Sequence, residues 1–221
     1  MNMLRDLITL CLAVLAGAAQ ASSSGVVISQ IYGGGGNTGA TLRNDFVELF
    51  NAGAAPVSLN GWSVQNASAS GTTWAVTALT NVLLQPGQYY LVQQAPGAGG
   101  TVNLPTPDAT GMIAMSATGG KVALASTTTT LTGSNPAGGA LVDLVGWGAA
   151  NGFEGAAAPV TVTNASTTTA VQRAGLGCAD TDNNAADFSA ATPLPRNSGS
   201  ALNACGVASA QPIVPSCTAA T

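Results

Sequence analysis

Apolar positions come in short runs broken by Gly, Pro, Asn and Ser, and no run after the first two dozen residues keeps a helical period with caps. The run V-V-I-S-Q-I-Y at 26–32 is β-rich and stops at Gly33-Gly34-Gly35-Gly36. Residues 45–51, D-F-V-E-L-F-N, alternate, so Phe46, Glu48 and Phe50 share one strand face and Val47 and Leu49 the other. Residues 57–59 lead into Asn60-Gly61, a hairpin signal, with W-S-V-Q at 62–65 beyond it. Further strands are predicted at 72–76, at 89–92 after a Pro86-Gly87 turn, and at 121–124, 141–147 and 168–173. Nothing between them can serve as a crossover helix, which removes a βαβ arrangement. Short strands with turn signals at this spacing predict an all-β sandwich or barrel.

The two ends read differently. Arg5 precedes an apolar run from Leu7 to Ala18, and Ala19-Gln20-Ala21 places small residues where a signal peptidase cuts. Residues 1–21 are therefore expected to be a signal peptide, cleaved after Ala21, and the product to be secreted, either extracellular or periplasmic. Cys11 follows Leu10 rather than a small residue, which argues against a lipid anchor. Neither this run nor any later one is long enough for a membrane span, so none is expected in the mature chain. Residues 206–221, mostly Ala, Ser, Pro, Val and Thr, read as a flexible tail.

Composition changes what the surface can do. Hydrophobic residues make up 46% of the chain but aromatics only 5%, so the core rests on Val, Leu, Ile and Ala. Charged residues are 6%, far below the usual quarter or so. Thr, Ser, Asn and Gln must wet the surface, and few charges remain to oppose association. After the leader the cations are Arg43, Lys121, Arg173 and Arg196, in a chain of net charge −4. Counterion release at phosphates needs several clustered Lys or Arg, so direct nucleic-acid binding is disfavoured. The partners expected are an extracellular protein, a glycan, or a second copy of the chain.

Cysteine usage fits an oxidising compartment. With Cys11 lost in the leader, Cys178–Cys205 is the expected disulfide, closing the segment that ends the globular part. The chain-entropy argument makes such a bridge worth roughly 3 kcal/mol. Pairing of Cys205 with Cys217 is the competitor; otherwise Cys217 is free or joins two chains.

The chain contains no histidine, which removes Ser-His-Asp and Cys-His hydrolases, His-ligated zinc and His-dependent phosphodiesterases. Carboxylate pairs are the remaining route to hydrolysis. Asp45 and Glu48 fall on opposite strand faces, and Asp143, within L-V-D-L-V, is expected to be a structural acid buried near Glu48 or Arg43. Lys121 is expected to face solvent. Gly34, Gly36 and Gly39 match G-x-G-x-x-G, but a strand follows where a phosphate site needs a helix, so the loop is expected to be a mobile tip. No catalytic residue is assigned, and the chain is not expected to be an enzyme. Asp180, Asp182, Asn184 and Asp187 are the candidate metal ligands, as a loose calcium site, and no other cofactor is expected. Ala185 and Ala191 stand where an EF-hand needs Gly and Glu, and local Asx-turns explain the same residues at least as well. Trp62, Trp74 and Trp147 could line a sugar-binding face, although packing is the favoured role in so aromatic-poor a core. Asn66 and Asn164 begin N-x-S sequons of little specificity in this composition.

The stretches I-S-Q-I-Y-G-G-G-G-N-T-G-A, N-D-F-V-E-L-F-N and V-S-L-N-G-W-S-V-Q resemble the opening of bacterial lamin-tail domains. L-Q-P-G-Q-Y-Y-L-V-Q, A-T-G-G-K-V-A-L-A and L-V-D-L-V-G-W-G follow in that family's order, and G-C-A-D-T-D-N-N-A-A-D-F-S with P-L-P-R-N-S is similar to its secreted versions. The resemblance covers residues 25–205 and implies an immunoglobulin-like β-sandwich, a non-catalytic interaction module. Such modules often precede extracellular nucleases, so the alternative is an accessory role in a nucleic-acid-degrading system. Asp45, Glu48, Asn51, Gly61, Trp62, Asp143 and Gly146 match the family's motif as structural positions only. Gln30 departs from it, standing where many relatives carry an acid.

Overall fold

Alternating β-branched and aromatic residues favour a pleated surface with both faces covered. The computed structural model describes residues 25–155 and 167–206; the predicted leader, the tail beyond 206, Cys217 and the Asn164 sequon lie outside them. Twelve strands run in chain order: β1 (Val26–Tyr32), β2 (Asn44–Asn51), β3 (Val57–Ser58), β4 (Ser63–Ser68), β5 (Ala75–Ala78), β6 (Leu83–Leu84), β7 (Tyr89–Pro96), β8 (Ala109–Thr110), β9 (Gly120–Ala125), β10 (Leu141–Trp147), β11 (Ala170–Arg173) and β12 (Phe188–Ala191). One helical turn, α1 (Asn184–Asp187), and a 3-10 turn at Gly175–Gly177 complete the described elements.

A six-stranded sheet, β12-β11-β1-β2-β7-β8, packs on a four-stranded one, β10-β9-β4-β5, and β3 pairs with β6 at the side. The ladders are antiparallel except β7 with β8. Val26, Ile28, Val47, Leu49 and Val92 of the larger sheet meet Val64, Val122, Leu124, Val145 and Trp147 of the smaller. That interleaved layer is the core of the sandwich. The β1 register shifts between Ile28 and Gln30. This bulge lets Ile31 join Val26 and Ile28 in the core despite its odd spacing, and leaves Gln30 outside that cluster.

The outward face of the larger sheet is also buried. Tyr32, Phe46 and Leu91 form one cluster there, and Val27, Phe50 and Tyr89 another, against Cys178 and Cys205. The two faces assigned to residues 45–51 are thus real, and both lie in the interior.

Asn60-Gly61 does not make the expected hairpin. The turn exists, with the Trp62 amide donating to the Leu59 carbonyl, but β3 pairs with β6 and β4 with β5 and β9. Gly61 has φ +77° while Asn60 is not among the positive-φ residues. A hairpin of the I′ type needs positive φ at both central residues, so this turn passes the chain from one sheet to the other. Gly33-Gly34-Gly35-Gly36 is not a mobile tip either: all four are buried. A Cβ on Gly35 would fall 2.0 Å from the Asn44 carbonyl carbon, so the run lets two stretches of backbone touch.

Candidate functional site

Ionisable groups gather at one end of the sandwich, where β10 and β11 bring Asp143 and Arg173 together. Arg173 Nη2 donates to Asp143 Oδ2 at 2.8 Å, and its Nη1 to Asp180 Oδ1 at 2.7 Å. Its Nε bonds the Ile28 carbonyl, and Nη1 also reaches the Ala179 carbonyl. Asp187 Oδ2 stands 3.6 Å away. Asp143 therefore pairs with Arg173, not with Glu48 or Arg43 as expected, because β11 and β10 flank β1 on different sheets and their side chains meet beneath it. Burial opposes the guanidinium's charge, but Asp143, Asp180, Glu154 and Asp187 outweigh it and raise its pKa.

Glu154, unremarked in the sequence, enters this cluster. Its Oε1 accepts from the Leu144 amide at 3.2 Å, and its Oε2 from Asn184 Nδ2 at 3.4 Å. Burial first, then the Asp143 carboxylate, push its pKa well above the usual range. Burial likewise raises Asp180.

The four residues proposed as metal ligands separate into two roles. Asn184 Oδ1 accepts from the amides of Gly146 and Glu154. Asp187 accepts from the Thr181 amide and hydroxyl, each at 2.8 Å. Asn183 caps α1 through the Ala185 amide. These are the local bonds of an Asx-rich turn. Asp180 and Asp182 instead converge with Glu154, one oxygen from each lying within 4.8 Å of the others. No sequence signal tied Glu154 to that loop, because the link is made by Asn184 across the fold.

A second ionic site fastens residues 192–206 across the outer face of the larger sheet. Arg196 grips Glu48 through Nη2 at 2.7 Å and Nε at 3.1 Å, and its backbone amide adds a third bond at 2.7 Å. Its guanidinium also lies 3.8 Å from the Tyr89 ring centroid. Burial pushes the Glu48 pKa up, while Arg196 and Ser29 pull it back. Gln30 donates to the Leu194 carbonyl and accepts from the Leu194 amide, both at 2.9 Å. The strap ends at the disulfide Cys178–Cys205, which settles the pairing.

Lys121 does not face solvent. Its side chain is fully buried, and Nζ donates to the Gly71 and Ser134 carbonyls and to Asn151 Oδ1 at 2.6–2.7 Å. Burial lowers its pKa. Trp74 and Trp147 are buried at 3% and 1% exposure, and Trp62 packs half-buried on the core. Surface clefts near Val82, Tyr32 and Asn51 bring no two carboxylates together: Asp108 lies in the first, and the others hold none.

Comparison with known proteins places this architecture. The lamin tail domain family matches residues 19–149. Among solved structures, a DUF4876 family protein from Bacteroides thetaiotaomicron VPI-5482 superposes with a TM-score of 0.52 at 14% identity, over 81% of this chain and 74% of that one. At that identity the likeness is one of fold alone. No curated protein matches the chain.

Proposed function

The chain belongs to the lamin tail domain family, and from that premise we propose that it is a secreted, non-catalytic binding module whose partner is a protein or a second copy of itself. One observation carries this reading: four acids spread over the sandwich are bound by the architecture itself. Asp45 binds the Gly35 and Met115 amides, Glu48 binds Arg196, Asp108 binds the Leu91 and Ser198 amides, and Asp143 binds Arg173. General acid–base work needs groups that converge on an open site and can exchange protons there. These acids are instead tied to backbone donors and to Arg173 and Arg196.

The same economy narrows the partner. Of the described cations, Arg173, Arg196 and Lys121 are held by internal acceptors, which leaves Arg43 exposed. One surface cation is a poor phosphate groove. With Trp74 and Trp147 buried, the tryptophans offer no paired stacking platform for a sugar. The surface does offer apolar side chains, with Leu194 and Leu202 exposed by 60% and 65%. Secretion is supported by the leader-like first residues and by the disulfide. Among the described residues no helix is long and apolar enough to cross a membrane.

Light scattering across a concentration series, with a panel of hydrolase substrates run beside it, tests the proposal. The expected result is a mass that rises with concentration, or capture of one extracellular protein, without turnover. Metal-independent turnover abolished by a single Asp→Asn change would overturn it.

A further inference from the structure

We propose that the Cys178–Cys205 bridge is a redox-released clasp: a dithiol that reduces it frees the turn at 175–178 and the strap's last residues from the cluster of Val27, Phe50 and Tyr89. Both segments lie over that cluster. Its three side chains are at most 2% exposed, and the half-buried Cys178 and Cys205 pack against them. Gly177 runs so close to Phe50 that a Cβ there would stand 2.7 Å from the ring.

The turn is held in an unfavourable shape. Leu176 has φ +60° between two glycines of positive φ, and its side chain is 57% exposed. A leucine in that region is strained and persists only where its surroundings impose it. Here they are the Tyr89 hydroxyl, which donates to the Leu176 carbonyl at 2.9 Å, the Asn203 side chain and the bridge.

The strap is fastened unevenly. Its first half carries the Gln30 bonds to Leu194, the three bonds between Arg196 and Glu48, and the bond of the Ser198 amide to Asp108. Beyond Ser198, among the described residues, Asn203 and the bridge tie it to the sandwich. The Asn203 amide donates to the Gly87 carbonyl at 2.9 Å, and its Nδ2 lies 3.3 Å from Cys178 Sγ. Release therefore stops near Ser198, and the ionic anchor keeps the first half docked.

Reduction has a preferred direction. Cys205, unlike Cys178, lines an open cleft of about 230 Å³, where the small residues Ala52, Gly53, Ala54 and Gly87 leave a thiol a path to its Sγ. One thiolate of the dithiol attacks Cys205 Sγ, the bond between the two Sγ atoms breaks, and Cys178 leaves as a thiolate. The Asn203 Nδ2 hydrogens stand at that sulfur and stabilise the leaving group. The second thiolate of the dithiol then displaces Cys205, so the reductant becomes its own disulfide and each cysteine takes up one proton.

The test uses the full chain carrying Cys217→Ser, which keeps a third thiol out of the exchange. Dithiothreitol is added without denaturant, and hydrogen exchange is read peptide by peptide. Exchange at 175–179 and 199–206 should speed up about tenfold or more, with 192–198, β1, β2 and β7 unchanged and protection restored on reoxidation. Adding Cys178→Ser and Cys205→Ser should give the same pattern without reductant. Brief exposure to a monothiol, quenched in acid, should leave the mixed disulfide on Cys205. The proposal fails if the bridge stays oxidised in the folded protein, or if the turn and the strap's end keep their protection once it is reduced. It fails equally if reduction loosens both sheets, and an adduct on Cys178 overturns the direction of attack.

Discussion

Asp45 joins two segments that lie far apart in the chain: Oδ1 accepts from the Gly35 amide and Oδ2 from the Met115 amide, both at 2.8 Å. Burial opposes its ionisation more strongly than the two amides favour it, and its pKa rises to about 6. A folded value above the unfolded one gives stability that is fully present below the unfolded pKa, 3.8, and is lost as pH climbs through about 6. The loss amounts to roughly 3 kcal/mol at one decade per 1.36 kcal/mol. Carbon NMR of the Asp45 carboxyl should therefore show a midpoint near 6, and a midpoint at the ordinary aspartate value would mean that the amides fully offset burial. Lys121 teaches why single residues resist reading. Gly119-Gly120-Lys121 at a strand start looked solvated, yet the acceptors that hold its ammonium come from Gly71, Ser134 and Asn151. None of those loops is near it in sequence, and no local pattern announces a cation buried with three oxygens. Asp143 was legible as a buried acid because it interrupts an apolar strand. Its partner was not, since the pairing depends on how two sheets stack.

At the scale of elements, strands with strong alternation stand out in the sequence, and those made by their neighbours do not. Strands β1, β2 and β10 carry their own apolar runs and begin and end within a residue of where alternation places them. Strands β6, β8 and β12 span two to four residues, and only a partner strand gives such lengths meaning. The strap at 192–206 has no regular structure, and it is positioned by side chains: Gln30, Glu48, Asp108 and the disulfide. Gln30 must both donate and accept there, so an acid at this position would set a carboxylate against the Leu194 carbonyl. Gln30→Glu should cost about 1–3 kcal/mol in denaturant unfolding, whereas a structurally idle glutamine would give no change. Breaking the bridge with Cys178→Ser and Cys205→Ser frees the strap's far end and restores the unfolded chain's loop entropy. A loss of roughly 3 kcal/mol is expected, read as a lower midpoint in denaturant with the apolar core intact. A fully reduced protein with unchanged midpoint would show that the hydrogen bonds to Gln30, Glu48 and Asp108 suffice to hold the strap.

For the molecule as a whole, low charge and open sheet edges act together. The larger sheet ends at β12 and β8 and the smaller at β10 and β5. An edge strand presents unpaired amides and carbonyls, which proteins commonly guard with Lys, Pro or a bulge. Strand β5, A-V-T-A, carries none of these residues, and Ala75 and Ala78 are exposed. With charged residues at 6% of the chain, long-range repulsion does little to keep two copies apart. If β5 is where copies meet, placing Lys at both Ala75 and Ala78 should abolish the concentration-dependent rise in mass. Both residues are exposed, opposite Asn66 and Ser63 of β4, so the folded state should shift by no more than about 0.5 kcal/mol. Apolar and backbone contacts between weakly charged faces are also little screened, so association of the unaltered chain should vary only slightly with salt. A mass that rises unchanged in the double-lysine protein would clear β5 of the contact, and a steep salt dependence would mean that charges at the rim, rather than an unguarded edge, bring the copies together.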